Sequence, residues 1–73
     1  MIKEKIGLRV KELRKYRNLS QLEASLNANL NRTYWTDLEC GRINISIINL
    51  KKICDSFNIS LKDFFTSNIF NGE

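Results

Sequence analysis

Between Asn31 and Cys40 the chain sets a guanidinium, two hydroxyls and a carboxylate on one side of a prospective helix. At about 100° per residue, Arg32, Thr33, Thr36, Asp37 and Cys40 share one half of that surface, while Tyr34, Trp35 and Leu38 share the other. These polar groups recognise rather than react. A guanidinium bonds two acceptors at once, and a hydroxyl donates or accepts. Bond-breaking chemistry has no candidates. The 73 residues include no histidine, no Gly-rich phosphate loop and no paired carboxylates in a plausible cleft. Two cysteines, Cys40 and Cys54, make neither a disulfide framework nor, without histidine, a zinc site of common type. No enzymatic activity, cofactor, metal or small-molecule substrate is expected.

The elements that must position those groups are legible on either side. Ser20 and Glu23 have the Ser-x-x-Glu form in which a hydroxyl and a carboxylate each satisfy an orphan N–H at a helix start. Asn29 falls where the chain must reverse, and asparagine tolerates the left-handed conformation that a tight turn needs. Asn31 then caps the next helix. The stretch 20–39 therefore reads as two short helices joined by a tight turn, the second displayed outward. That is a helix-turn-helix, an arrangement that lays its second helix in the major groove of DNA.

Around this unit the pattern is helical throughout and has no strand candidate. Residues 2–17 form a first helix with Ile2, Ile6, Val10 and Leu13 on one apolar stripe; Leu8 lies off it. Gly41 stops the third helix, and residues 42–45 form a loop. Ser46 caps a fourth helix, with Ile47, Leu50, Ile53, Cys54 and Phe57 at helical spacings, and Asn58 ends it. Ser60 and Asp63 open a fifth, made apolar by Leu61, Phe64 and Phe65. The expected architecture is all-α, a compact five-helix bundle. Its domain spans 1–66, with the helix-turn-helix at about 20–39, further helices at about 46–66, and a short tail at 67–73.

A chain of this length is one domain that buries only roughly 60% of its unfolded surface, so it gains from dimerisation. The net charge of +4 suits an anionic partner. Residues 1–17 hold seven Lys or Arg against two Glu, and the remainder is close to neutral. Lys3, Lys5, Lys11, Lys15 and Arg17 lie mostly off the apolar stripe; they are a solvated face or an attractor of phosphate. No apolar run has the length of a membrane span and the N-terminus lacks a signal-peptide core, so a cytoplasmic location and no membrane partner are expected. The Asn-x-Ser/Thr triplets at Asn31, Asn44 and Asn58 then serve as caps and turns.

From Ile6 to Phe65 the chain resembles the helix-turn-helix domains of the Cro and lambda-repressor type. The shared residues include Ile6-Gly7, Glu12-Leu13-Arg14, Leu19-Ser20-Gln21, Arg32-Thr33-Tyr34, Leu38-Glu39, Gly41, Asn44-Ile45-Ser46, Leu50, Lys52-Ile53, and Ser60-Leu61 leading to Phe64-Phe65. Asn-Arg-Thr-Tyr, then Asp-Leu-Glu, then Gly-Arg-x-Asn-Ile-Ser look most like the controller proteins of restriction–modification systems. The resemblance implies a sequence-specific DNA-binding transcriptional regulator, a homodimer through helices four and five on a near-palindromic operator. It implies Arg32 and Thr33 at base edges, Tyr34 and Thr36 at backbone or base edge, and Gln21 against the DNA backbone. Arg42 and Asn44 would contact phosphate or an adjacent base, and Arg14 and Glu39 would form an internal ion pair. A phage-type repressor, or an antitoxin whose main partner is another protein, shares much of the pattern.

Several residues depart from it. Trp35 stands where the family has Ile or Val, so the core beneath the recognition helix must be rearranged, and the small Ala24 leaves volume for it. Ser25 replaces Ala, Asn29 replaces Gly, and Ile43 stands where controllers often carry a second Arg. Leu22 and Leu26 occupy positions that are usually polar; they are repacked or form a small apolar patch.

Overall fold

The computed structural model describes residues Met1–Glu73. Its elements are α1 (Ile2–Tyr16), α2 (Gln21–Asn27), α3 (Arg32–Glu39), α4 (Ile47–Ser56), α5 (Leu61–Phe64) and one turn of 3-10 helix at Asn68–Phe70. The expected all-α bundle of five helices is what the chain forms, without a strand.

Caps and turns draw the boundaries. Ser20 accepts from the Glu23 N–H while Glu23 returns to the Ser20 N–H at 2.9 Å, and Ser60 and Asp63 repeat the arrangement. Asn31 accepts from the Thr33 and Tyr34 N–H groups at 2.7 and 3.3 Å, and Ser46 from that of Asn49. Each such cap is worth about 1 kcal/mol. Four helices leave in the same way. Asn18, Asn29, Gly41 and Asn58 take positive φ of 57°, 55°, 73° and 57°. The residue after each donates back to the last turn: Leu19 to Arg14, Leu30 to Ser25, Arg42 to Asp37, Ile59 to Cys54. A chain without proline thus reverses direction four times on left-handed residues.

The core gathers Val10, Ala24, Ala28, Trp35, Leu38, Leu50, Ile53, Cys54, Phe57, Phe64 and Phe70. Trp35 is fully buried and meets Phe57 edge-on, with ring centroids 6.4 Å apart. It shares the cluster with the equally buried Ala24. Ser25 is buried too, its hydroxyl donating to the Leu22 carbonyl. Leu22, Leu26 and Leu8 face solvent, so the leucines of α2 are a patch and not repacked. α1 crosses the end of α3 at Gly7, where an added Cβ would lie 2.4 Å from the Leu38 carbonyl oxygen. Only glycine permits that approach.

Residues 67–73, read from the sequence as a tail, close onto α1. Phe70 is buried, tilted against Phe64 and Phe65, and Glu73 pairs with Lys5 at 2.6 Å. Ser67 caps the 3-10 turn that brings Phe70 inward.

Candidate nucleic-acid interface

Arg32 is the first residue of α3, exposed, and makes no ion pair or side-chain hydrogen bond to the rest of the chain. Thr33 beside it is also exposed, its backbone N–H held by the Asn31 cap and its hydroxyl free. The cap matters because it fixes where the helix begins, and so where both side chains point.

Gln21 and Thr36 meet each other. The Thr36 hydroxyl donates to Gln21 Oε1 at 3.0 Å, and Gln21 Nε2 donates to Glu39 Oε1 at 3.1 Å. Both side chains are half-buried, so they pin α2 to α3 across the turn as well as bordering the exposed face. One of the two Gln21 amide hydrogens is left for an outside acceptor.

Glu39 is the hub behind this face. Arg14 donates to it twice, from Nε at 2.6 Å and Nη2 at 2.9 Å; Trp35 Nε1 donates at 2.6 Å; Gln21 is the fourth donor. The Arg14 and Glu39 side chains are only 11% and 3% exposed. Burial opposes ionisation of Glu39, but the bonds from Arg14, Gln21 and Trp35 outweigh it and hold the carboxyl below its ordinary value. Hydrogen bonding to Glu39 likewise raises Arg14. Arg14 Nη1 also donates to the Leu19 carbonyl, so one guanidinium ties α1 to the entry of α2 and the end of α3. The ion pair implied by the resemblance is therefore present. Trp35, the departure from the family pattern, joins it through a polar atom that Ile or Val lacks.

The remaining residues lie along the far edge. Tyr34 is half-buried and its hydroxyl oxygen accepts from Asn49 Nδ2 at 3.1 Å, which leans the ring onto the first turn of α4. Arg42 is exposed and approaches Asp37 at 3.3 Å. Asp37 thus has a partner in the loop arginine. Asn44 is exposed in the same loop. The structure brings Arg32, Thr33, Thr36 and Gln21 to one surface, with Tyr34, Arg42 and Asn44 beside the turn into α4.

Two arginines of the basic first stretch bond helix-end carbonyls of their own chain, while Lys11 and Lys15 stay exposed. Arg9 donates to the Phe64 and Asp63 carbonyls at 2.7 and 2.8 Å and pairs with Glu12. Arg17 donates to the Phe57 carbonyl at 2.6 Å and its guanidinium lies over the Phe57 ring. Sequence reasoning missed the two arginine roles because a carbonyl at a helix end leaves no mark in the residue types around it, and it missed that of Asn49 because its meeting with Tyr34 depends on how α4 packs on α3. No buried side-chain polar atom lacks a hydrogen-bond partner.

The comparisons agree with this geometry. The sequence pattern described as a helix-turn-helix domain matches residues 7–68. The control protein C.MunI of Mycoplasma sp. is 38% identical over 66 residues, covering 89% of this chain and 89% of that protein. Among solved structures, the restriction-modification controller protein C.AhdI from Aeromonas hydrophila superposes with a TM-score of 0.81 at 32% identity, over 85% of this chain and 94% of that one. The nucleoprotein complex of C.Esp1396I superposes with a TM-score of 0.81 at 26% identity, over 89% and 84%.

Proposed function

Because the chain belongs to the helix-turn-helix domain family, in the company of the control protein C.MunI, we propose that it is a sequence-specific transcriptional regulator controlling a restriction–modification system. It acts in the cytoplasm as a homodimer on a near-palindromic operator. The observation that carries the reading is Arg32: capped into place at the head of α3, exposed, and with no partner in its own chain.

In this reading α3 enters the major groove. Arg32 takes guanine O6 and N7 bidentately, and the Thr33 methyl meets a thymine methyl. Gln21, Tyr34, Thr36, Arg42 and Asn44 bond the flanking backbone and fix register, with Arg42 exchanging Asp37 for phosphate. The second copy docks on α4 and α5, where Ile47 and Ile48 are 66% and 69% exposed and Phe65 adds a further apolar face. A two-fold axis there covers the same patch on both copies and sets the two α3 helices about 34–36 Å apart, one turn of DNA.

The test is selection of duplexes from a random pool, followed by affinity measurement across salt concentration. A dimer whose two Arg42 side chains neutralise about two phosphates loses affinity with a log–log slope near −1.8. The pool should yield a palindrome with half-sites one turn apart. No enriched sequence, or a slope near zero, refutes the reading.

A further inference from the structure

We propose that Asn49 is a positioning residue for DNA recognition: it holds the Tyr34 phenol as a hydrogen-bond donor to the nucleic acid. The inference rests on the DNA-binding reading and assigns to α4 a part in the contact made by α3.

A phenolic oxygen carries one hydrogen to donate and lone pairs to accept with. In the structure Tyr34 accepts from Asn49 Nδ2 at 3.1 Å and donates to no group of the protein. With the amide on its accepting side, the O–H is directed elsewhere. Asn49 is itself fixed, its backbone N–H bonded to the Ser46 hydroxyl that caps α4 at 3.1 Å. Ring and amide thus form a short relay from the α4 cap to the edge of the recognition face. DNA offers acceptors at such an edge in its phosphate oxygens, purine N7, guanine O6 and thymine O4, against the amino donors of adenine and cytosine alone. A tyrosine locked as a donor matches those acceptors. A carboxylate at position 49 would take the phenolic hydrogen for itself and leave only lone pairs facing a polyanion.

The measurement is a double-mutant cycle on the full chain. The probes are a duplex selected by the wild type and a random-sequence duplex of the same length. Asn49→Leu and Tyr34→Phe should each weaken binding by about threefold to tenfold, the range of one hydrogen bond. Combined, they should cost little more than either alone. Loss on the selected duplex alone assigns the acceptor to a base, and equal loss on both assigns it to phosphate. In the free protein, one Asn49 side-chain amide hydrogen should be slowed in exchange, and Tyr34→Phe should remove that protection. Melting temperatures of the variants check that the fold survives. Losses from Asn49→Leu that are the same with and without Tyr34→Phe would overturn the proposal, as would an amide whose exchange ignores that change. A wild type that binds neither duplex overturns the DNA-binding reading instead, while the amide exchange still reports whether Asn49 holds Tyr34.

Discussion

Glu39→Ala should bring the domain to the edge of unfolding. Four hydrogen bonds converge on a carboxylate that is 3% exposed, and two of them come from a guanidinium that is 11% exposed. Removing one member of a buried ion pair leaves the other charge uncompensated, at about 3–5 kcal/mol. The Trp35 N–H, orphaned by the same change, adds a desolvation cost of about 1–3 kcal/mol that overlaps with the first. A domain of 73 residues has roughly 4–11 kcal/mol in all. The assay is urea and thermal denaturation, each followed by the fluorescence of Trp35, the single tryptophan, whose ring nitrogen bonds the altered residue. The melting temperature should fall by about 15–30 °C. Glu39→Gln, which keeps one acceptor oxygen, should lose less. Arg14→Met combined with Glu39→Leu should recover most of the loss, because no buried charge is then left alone. Acid gives an independent check. The folded Glu39 titrates below the value of 4.5 for a free glutamate, so its contribution is complete above that pH and disappears as pH falls through the lower folded value. The gap between wild type and Glu39→Gln should therefore narrow below roughly pH 4.5. A loss under about 1 kcal/mol for Glu39→Ala, well below the burial cost, would refute the argument. So would a gap that is constant into acid.

Arg32→Ala should weaken operator binding by about 1–3 kcal/mol and relax preference at one base pair per half-site, read by repeating the duplex selection. If both operator and scrambled DNA bind it as they bind the wild type, Arg32 is not the reader. Gly7→Ala places a methyl 2.4 Å from the Leu38 carbonyl oxygen and must push α1 from α3. The expected cost is about 1–3 kcal/mol or more in thermal denaturation. Ile48→Asp, at a position 69% exposed, should leave the monomer's helicity intact while sedimentation shows the dimer lost and operator affinity falls. A variant that still sediments as a dimer places the interface elsewhere.

The helices were legible because their ends are written in residue types that bond their own backbone. Ser20, Asn31, Ser46 and Ser60 sit at the starts, and Asn29, Gly41 and Asn58 at the stops, each visible as a short polar residue or glycine beside an apolar period. Asn18 belongs to the same set but stands beside Tyr16 and Arg17, where no break in the apolar stripe marks the end. The outward side of α3 was legible for the same periodic reason, and Arg32 and Thr33 are exposed as its spacing requires. The tail was not. Ile69 and Phe70 are two apolar residues in an otherwise polar segment, and the burial of Phe70 depends on the space left beside Phe64 and Phe65 by the packing of α5, a long-range outcome. Tyr34 shows the same limit. Its helical position turns it toward the core side, but the tilt that brings it to Asn49 is set by where α4 begins.

The distribution of charge shows why net charge alone said little about the partner. Residues 1–17 hold most of the excess of cations, yet Lys5, Arg9, Arg14 and Arg17 are each engaged by an acid or a helix-end carbonyl of the same chain. Guanidinium suits this work because one planar fork reaches two or three carbonyls or a carboxylate without a change of geometry. The interface is left with few mobile cations: Arg32, and Arg42 in exchange with Asp37. Such a surface would attract DNA only moderately at long range, and on the proposed reading its discrimination would depend on directed donors such as Arg32 and Tyr34 rather than on a general basic field. The proposed dimer would double that face. On the proposed reading, the exposed isoleucines of α4 and the donors of α3 would serve a single requirement.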